Sequence, residues 1–321
     1  MIFSSPTRLG RLAELAPRLV CGLILAAGLA LSTAAAPRAE HVFIISIDGG
    51  KPAVIAQSPM PVLKQLAAEG AYTWEAHTIY PSITLPSHTS MLTGVLPGKH
   101  QVLWNEWIPS NGLVKVPTIF VEAKRAGFST AMFVGKEKFR HLALPGSLDM
   151  FDFQPETEDT VSKVMSGQTN VVVEPTVLAK TVARRAAGYI TSNKPALCFI
   201  HLTDPDNTGH KYGWGSPEQI QAFGDTDVAL GVILEAIRSA GIMDQSVIIV
   251  TADHGGHDKT HGLSIPEDMN IPWIAWGRGV KKNFEITTQV ITCDTAATAL
   301  WLLDVPRPDS FDGKPVTSAF E

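Results

Sequence analysis

Apolar runs and amphipathic stretches alternate along this chain. Val42 to Ile47, Thr130 to Val134, Ala196 to Leu202, Val247 to Thr251 and Ile271 to Trp276 are short and almost continuously apolar. Such runs predict strands buried on both faces, as in a parallel sheet covered by helices. Between them lie amphipathic segments: Pro61 to Glu69, Pro117 to Ala126, Thr176 to Thr191, Pro217 to Ala240 and Asp294 to Leu303, each opened or closed by Pro, Gly, Ser or Asp. The alternation predicts a doubly wound α/β sandwich with a mostly parallel central sheet flanked by helices. In sheets of this kind ligands bind beyond the carboxyl ends of the strands. Asp48 follows the first apolar run, Asp206 and His210 the third, and Asp253 and His254 the fourth, so the pattern sends all five to one rim.

The first 36 residues break the alternation. Arg8, Arg11 and Arg18 precede an apolar run from Leu19 to Leu31, and the small residues Ser32 to Ala36 follow it. That is the layout of a secretory signal peptide; an uncleaved anchor is the alternative, although the run is short against the roughly 20 residues of a full span. The expectation is therefore a signal peptide at 1–36 and a single catalytic domain at 37–321, in the periplasm or outside the cell, with no stable membrane anchor after cleavage. A chain of 321 residues with 45% hydrophobic content can bury a full α/β core as one domain. The formal net charge is −5 and grows more negative once the three leader arginines are removed, which speaks against nucleic acid as a partner. Cys21 leaves with the leader, and Cys198 and Cys293 are expected as two buried thiols rather than a disulfide.

Chemistry concentrates in a few stretches. Five of the ten histidines fall between His201 and His261, several beside acidic residues, and Asp with His is a natural ligand set for zinc. In PDNTGHKYG, Pro205 and Gly209 suggest a turn bringing Asp206 and His210 together. Asp253 and His254 end a strand, with Gly255 and Gly256 permitting a turn. Taken singly, each has an ordinary structural explanation, such as a helix cap or a surface ion pair. In YPSITLPSHTSMLTG a tight loop runs into a helix with Thr84 as its N-cap and Pro86 in the first turn. Thr84 is either only a cap or a hydroxyl poised where free N–H groups favour a phosphoryl group.

Taken together, VFIISIDGGKP, TLPSHTSMLTG, PDNTGHKYG and ADHGGHDKTHG occur in the order seen in the alkaline phosphatase superfamily, and the chain most resembles its nucleotide pyrophosphatase/phosphodiesterases. The resemblance runs from about Val42 to Val316, including a tail, DTAATALWLLDVPRPDSFDGKPV, like the superfamily's closing helix. It implies an alkaline phosphatase-like three-layer sandwich and two divalent metal ions, zinc by expectation. Thr84 would be the nucleophile, with Ser87 replacing the family's usual Asn. Asp48, Thr84, Asp253 and His254 would hold one ion, and Asp206, His210 and a later histidine the other. That histidine is assigned to His261, which resembles the histidine before glycine of phosphoethanolamine transferases; His257 is the competitor. Asn105 and the amide of Leu85 would stabilise phosphoryl oxygens. His201 would hydrogen-bond to a ligand, His88 and His100 would serve structure near the site, and His41, His77 and His141 would be surface or satisfied histidines.

The implied activity is hydrolysis of phosphodiester or pyrophosphate bonds in a small-molecule phosphate ester through a phosphothreonine. Phosphomonoesterase and phosphoethanolamine-type transferase are the nearest alternatives, and an exported metal-binding protein without turnover is the alternative of another class. A sulfatase is disfavoured, because Thr84 stands where a Cys or Ser would be processed to formylglycine. Residues 136 to 175 read as an irregular insertion covering the site, and Lys136, Phe139 and Tyr212 are candidates to touch substrate. Trp104 and Trp107 flank Asn105, where they either stack on a nucleobase or choline-like group or pack beneath the rim.

Overall fold

The computed structural model describes residues 38–155, 160–164 and 171–321; the expected signal segment at 1–36 lies outside them. The strands are β1 (His41–Ile47), β2 (Ala71–His77), β3 (Thr130–Phe133), β4 (Met150–Asp152), β5 (Thr160–Val164), β6 (Val171–Pro175), β7 (Leu197–Leu202), β8 (Ser246–Ala252), β9 (Asn270–Gly277) and β10 (Phe284–Glu285). Eight of them form one sheet in the order β10-β2-β9-β8-β1-β7-β3-β4, and β5 pairs with β6. Within the eight-stranded sheet pairing is parallel except where β9 joins β8 and β2, much as the uninterrupted apolar runs predict, and the β5–β6 pair is antiparallel. Helices Pro61–Glu69, Ala179–Asn193 and Pro217–Ser239 pack with one another, and so do Thr84–Thr93, Ile119–Arg125 and Thr292–Leu302. The result is the α/β sandwich expected.

Val42 to Ile47 are all buried in β1, as are all residues of β7 and β8. Each fully buried Val, Leu or Ile contributes about 1.5–3 kcal/mol relative to exposure, so the three central strands anchor the rest. Their register decides the site. Ile47 lies level with Leu202 on one side and Ala252 on the other, and Phe133 of β3 lies level with Ile200. The carboxyl ends therefore share one rim, and the residues just beyond them, Asp48, Lys136, Asp206 and Asp253, are delivered to one place.

Four local expectations need correction. PDNTGHKYG is not a turn but most of a helix, Asp204–Tyr212. Pro205 sits in its first turn, where a missing N–H costs nothing, and Asp204 and Asp206 lie near the positive end of the helix dipole. A Cβ at Gly209 would come within 2.6 Å of Gln219 Nε2, so that glycine answers to packing rather than to chain reversal. Thr84 is the first residue of its helix and Ile83 is the N-cap. β2 escaped the pattern because its AYTWEAH alternates buried and exposed positions instead of running apolar. Finally, residues 136–175 are not irregular throughout, since they include a 3₁₀ helix at Glu137–Leu142, β4 on the sheet edge, and the β5–β6 pair. Among the described residues no helix is long and apolar enough to cross a membrane, and Cys198 and Cys293 are both buried free thiols.

Candidate active site

Helix Asp204–Tyr212 sets Asp206 and His210 one turn apart on the same face, with His210 Nε2 3.3 Å from Asp206 Oδ1. From the loop after β8, His261 Nε2 comes within 3.4 Å of the same oxygen and 3.1 Å of His210 Nε2. The second cluster lies beside this one. His254 Nε2 is 3.4 Å from Asp48 Oδ1, 3.2 Å from Asp253 Oδ2 and 3.5 Å from Thr84 Oγ1. The rings of His254 and His261 stack with centroids 3.6 Å apart, so the two clusters share a wall. Asp48, Thr84, Asp206, Asp253 and His254 are all buried.

The second nitrogen of each ring decides what these contacts mean. His210 Nδ1 lies 3.0 Å from the Lys259 carbonyl, His254 Nδ1 2.8 Å from the Gly255 carbonyl, and His261 Nδ1 2.9 Å from the Ser82 carbonyl. A carbonyl oxygen only accepts, so each Nδ1 carries the hydrogen and donates it. Burial above all else holds His254 and His261 below the ordinary histidine pKa, so both are neutral. Their Nε2 atoms then present lone pairs, which face carboxylate oxygens at 3.2–3.4 Å, and His261 Nε2 also lies 3.1 Å from His210 Nε2. Asp48 Oδ1 and Asp253 Oδ2 are buried with no hydrogen-bond partner. Electron pairs gathered without protons between them call for cations, and imidazole with carboxylate is a donor set that suits zinc. Two groups of ligand atoms, Asp206 with His210 and His261, and Asp48 with Asp206 and His254, each fall within 4.8 Å of one another. The residues present fit two divalent ions.

Around this centre the other oxygens are held. Asp253 Oδ1 accepts the N–H groups of Gly49 and His254. Asp48 Oδ2 accepts from His201 Nε2 at 2.9 Å and from Lys136. Burial and the charge of Asp206 push the Asp48 carboxyl up, yet the Lys136 ammonium and the His201 hydrogen bond outweigh them and hold it well below the usual carboxylate range. Burial, then the charge of Asp48, pushes Asp253 well above that range.

Asn105 and Leu85 meet, although not as two independent donors. The Leu85 N–H donates to Asn105 Oδ1 at 2.8 Å, which leaves the Asn105 amide nitrogen as the donor of the pair not used in this contact. His257 lies apart from the clusters, with Nδ1 2.7 Å from Asp268 Oδ1. Phe139 is buried against His88, Phe199 and His201, so it packs beneath the site and does not face substrate. Tyr212 is exposed at the end of its helix with the Lys211 ammonium over its ring. Trp104 and Trp107 both pack on His141, which accepts from Trp104 Nε1. His88 Nδ1 donates to the Thr84 carbonyl at 2.8 Å, steadying the first turn of helix Thr84–Thr93. Trp214 went unnoticed in the sequence; it packs edge-on against His210 and His261 and donates to the Gly49 carbonyl. Its place just after His210, between Gly213 and Gly215, is the one signal that pointed to it.

The pattern of the type I phosphodiesterase / nucleotide pyrophosphatase family matches residues 42–268. The chain belongs to this family. It is similar to human ectonucleotide pyrophosphatase/phosphodiesterase family member 5, 23% identical over 74% of this chain and 49% of that protein. GPI ethanolamine phosphate transferase 1 of Gibberella zeae is 26% identical over 68% of this chain and 22% of its own length. The chain thus spans about half or less of these curated relatives. Among solved structures, an inactive murine ectonucleotide pyrophosphatase / phosphodiesterase 5 in complex with AMP superposes with a TM-score of 0.70 at 15% identity, covering 88% of this chain and all of that one. A 2-O GAG sulfatase gives 0.67 at 17% identity, covering 88% and 74%. Likeness at that identity speaks for a shared fold. Ser87 has a local use: its Oγ donates to the Asp253 carbonyl at 2.7 Å and lies 2.7 Å from Thr78 Oγ1.

Proposed function

We propose that this chain is an exported two-zinc phosphohydrolase that cleaves phosphodiester or pyrophosphate bonds of a small-molecule substrate through a phosphothreonine on Thr84. What supports the reading most is the convergence of protonless Nε2 atoms and carboxylate oxygens on two adjoining points, with Thr84 Oγ1 at their border. Asp48, Thr84, Asp253 and His254 would hold one ion and Asp206, His210 and His261 the other. Bound divalent ions would lower the pKa of the threonine hydroxyl and draw charge from the phosphoryl oxygens. Thr84 Oγ1 then attacks phosphorus in line with the leaving group, and the Asn105 amide nitrogen donates to an oxygen that gains charge. Water entering from the vacated side hydrolyses the phosphothreonine, so two inversions leave the configuration at phosphorus retained. The expected signal peptide at 1–36 carries the domain out of the cytoplasm.

The test is Thr84→Ala on an aryl phosphodiester, with metal content measured beside it. Hydrolysis should fall by about three orders of magnitude or more, while most of the zinc stays. Unchanged turnover in Thr84→Ala would end the proposal. The similarity to an ethanolamine phosphate transferase favours one further reading, transfer of the phosphoryl group to an alcohol instead of water. Product analysis with an added alcohol acceptor separates the two.

A further inference from the structure

Lys136 stands just beyond β3, and its ammonium lies 2.5 Å from Asp48 Oδ2 and 2.6 Å from Asp206 Oδ2 with 1% of the side chain exposed. In the two-ion assignment these aspartates go to different ions, and Asp206 also lies within reach of Asp48 and His254. In each aspartate, the oxygens divide the work. Oδ2 faces Lys136, joined at Asp48 by the His201 ring, whereas Oδ1 faces the imidazoles of the lone-pair clusters: His254 for Asp48, His210 and His261 for Asp206. The ammonium therefore does not occupy a coordination position, since the oxygens nearest the lone-pair clusters are the ones it leaves alone. Three buried carboxylates, Asp48, Asp206 and Asp253, meet at this rim. Without the ammonium, the buried Asp48 and Asp206 carboxylates would lose this counter-charge until metal arrived.

We propose that Lys136 is a permanent third cation of this centre, a positioning residue that ties the two metal-ligating aspartates together through Oδ2 and keeps both half-sites formed before any ion binds. The proposal rests on the two-metal reading given above. It makes Lys136 a brace for the ligands and not a contact for substrate.

Thermal melting of chelator-stripped protein, with and without added zinc chloride, tests it. In Lys136→Met the stripped protein should melt on the order of 10 °C below the stripped wild type, because an ion pair is broken inside the fold. Added zinc should raise the melting temperature of Lys136→Met at least twice as far as that of the wild type, since the ions take over the neutralisation. Lys136→Arg keeps the charge and should behave like the wild type. If Lys136→Met does not fold without zinc, Lys136→Met/Asp48→Asn, which removes one carboxylate with the ammonium, should fold again. A stripped Lys136→Met that melts with the wild type, an equal zinc shift in both, or a folding failure that neither the arginine nor the double variant repairs overturns the proposal. Loss of hydrolysis with melting and zinc response unchanged also overturns it, making Lys136 a phosphoryl ligand. A wild type that gains nothing from zinc would instead sink the two-metal reading, leaving the comparison of stripped proteins standing.

Discussion

A neutral imidazole has one hydrogen, and the group that receives it decides what the other nitrogen can do. His261 gives its hydrogen to the Ser82 carbonyl and turns Nε2 to Asp206 and His210; His257 turns Nδ1 to Asp268 and lies apart from them. Metal analysis should therefore find about one ion fewer per chain, and little hydrolysis, in His261→Ala, whereas His257→Ala keeps both ions. Loss of an ion in His257→Ala alone would reverse the assignment. Sequence could bring these two histidines to one loop and no further, because the choice rests on which backbone carbonyl each ring meets. The aspartates were legible for a simpler reason: a polar residue directly after a buried strand has the rim as its destination. Lys136 was legible only as a residue near the site. Its partnership with Asp48 and Asp206 joins the ends of three strands, and nothing in local pattern records that.

Strands and long helices announced themselves because burial on both faces, or on one, leaves a periodic trace. The helix at Asp204–Tyr212 did not, since Pro205 and Gly209 are turn formers that packing here puts to another use. The same limit applies to the connection after helix Thr84–Thr93. His100 Nδ1 accepts the Val102 N–H at 3.0 Å, so its Nε2 carries the hydrogen and donates to Ser90 Oγ at 3.0 Å, fastening the loop to that helix. Burial lowers the pKa of His100 to about 4 from an ordinary 6.5. The unfolded chain thus takes up this proton first as acid is added. The contribution is present in full above about pH 6.5 and is lost as pH falls toward 4. Urea unfolding of chelator-stripped protein should show stability declining across that window, with a shallower decline in His100→Gln. Identical slopes in the two proteins would show that His100 does not carry the effect.

Across the whole molecule the centre acts as a clasp. β1, β7 and β8 end level and β3 stops beside Ile200, each is followed within a few residues by a charged residue of the centre, and the loop carrying His261 is held through the Ser82 carbonyl. Ions that bind this arrangement and not the unfolded chain stabilise the fold by mass action, about 2.7 kcal/mol for each site at a hundredfold excess over its dissociation constant. For a domain of this size that corresponds to a melting shift of roughly 5–10 °C for a centre of this kind. Chelation should lower the melting temperature by that amount and added zinc should restore it. Magnesium should restore little, because three of the donors are imidazole nitrogens, and magnesium prefers oxygen and gives up its waters reluctantly. Equal recovery with magnesium and zinc would mean that the imidazoles stay out of the coordination. The clasp would then be closed by the carboxylates alone, and the lone pairs of His210, His254 and His261 would need another explanation.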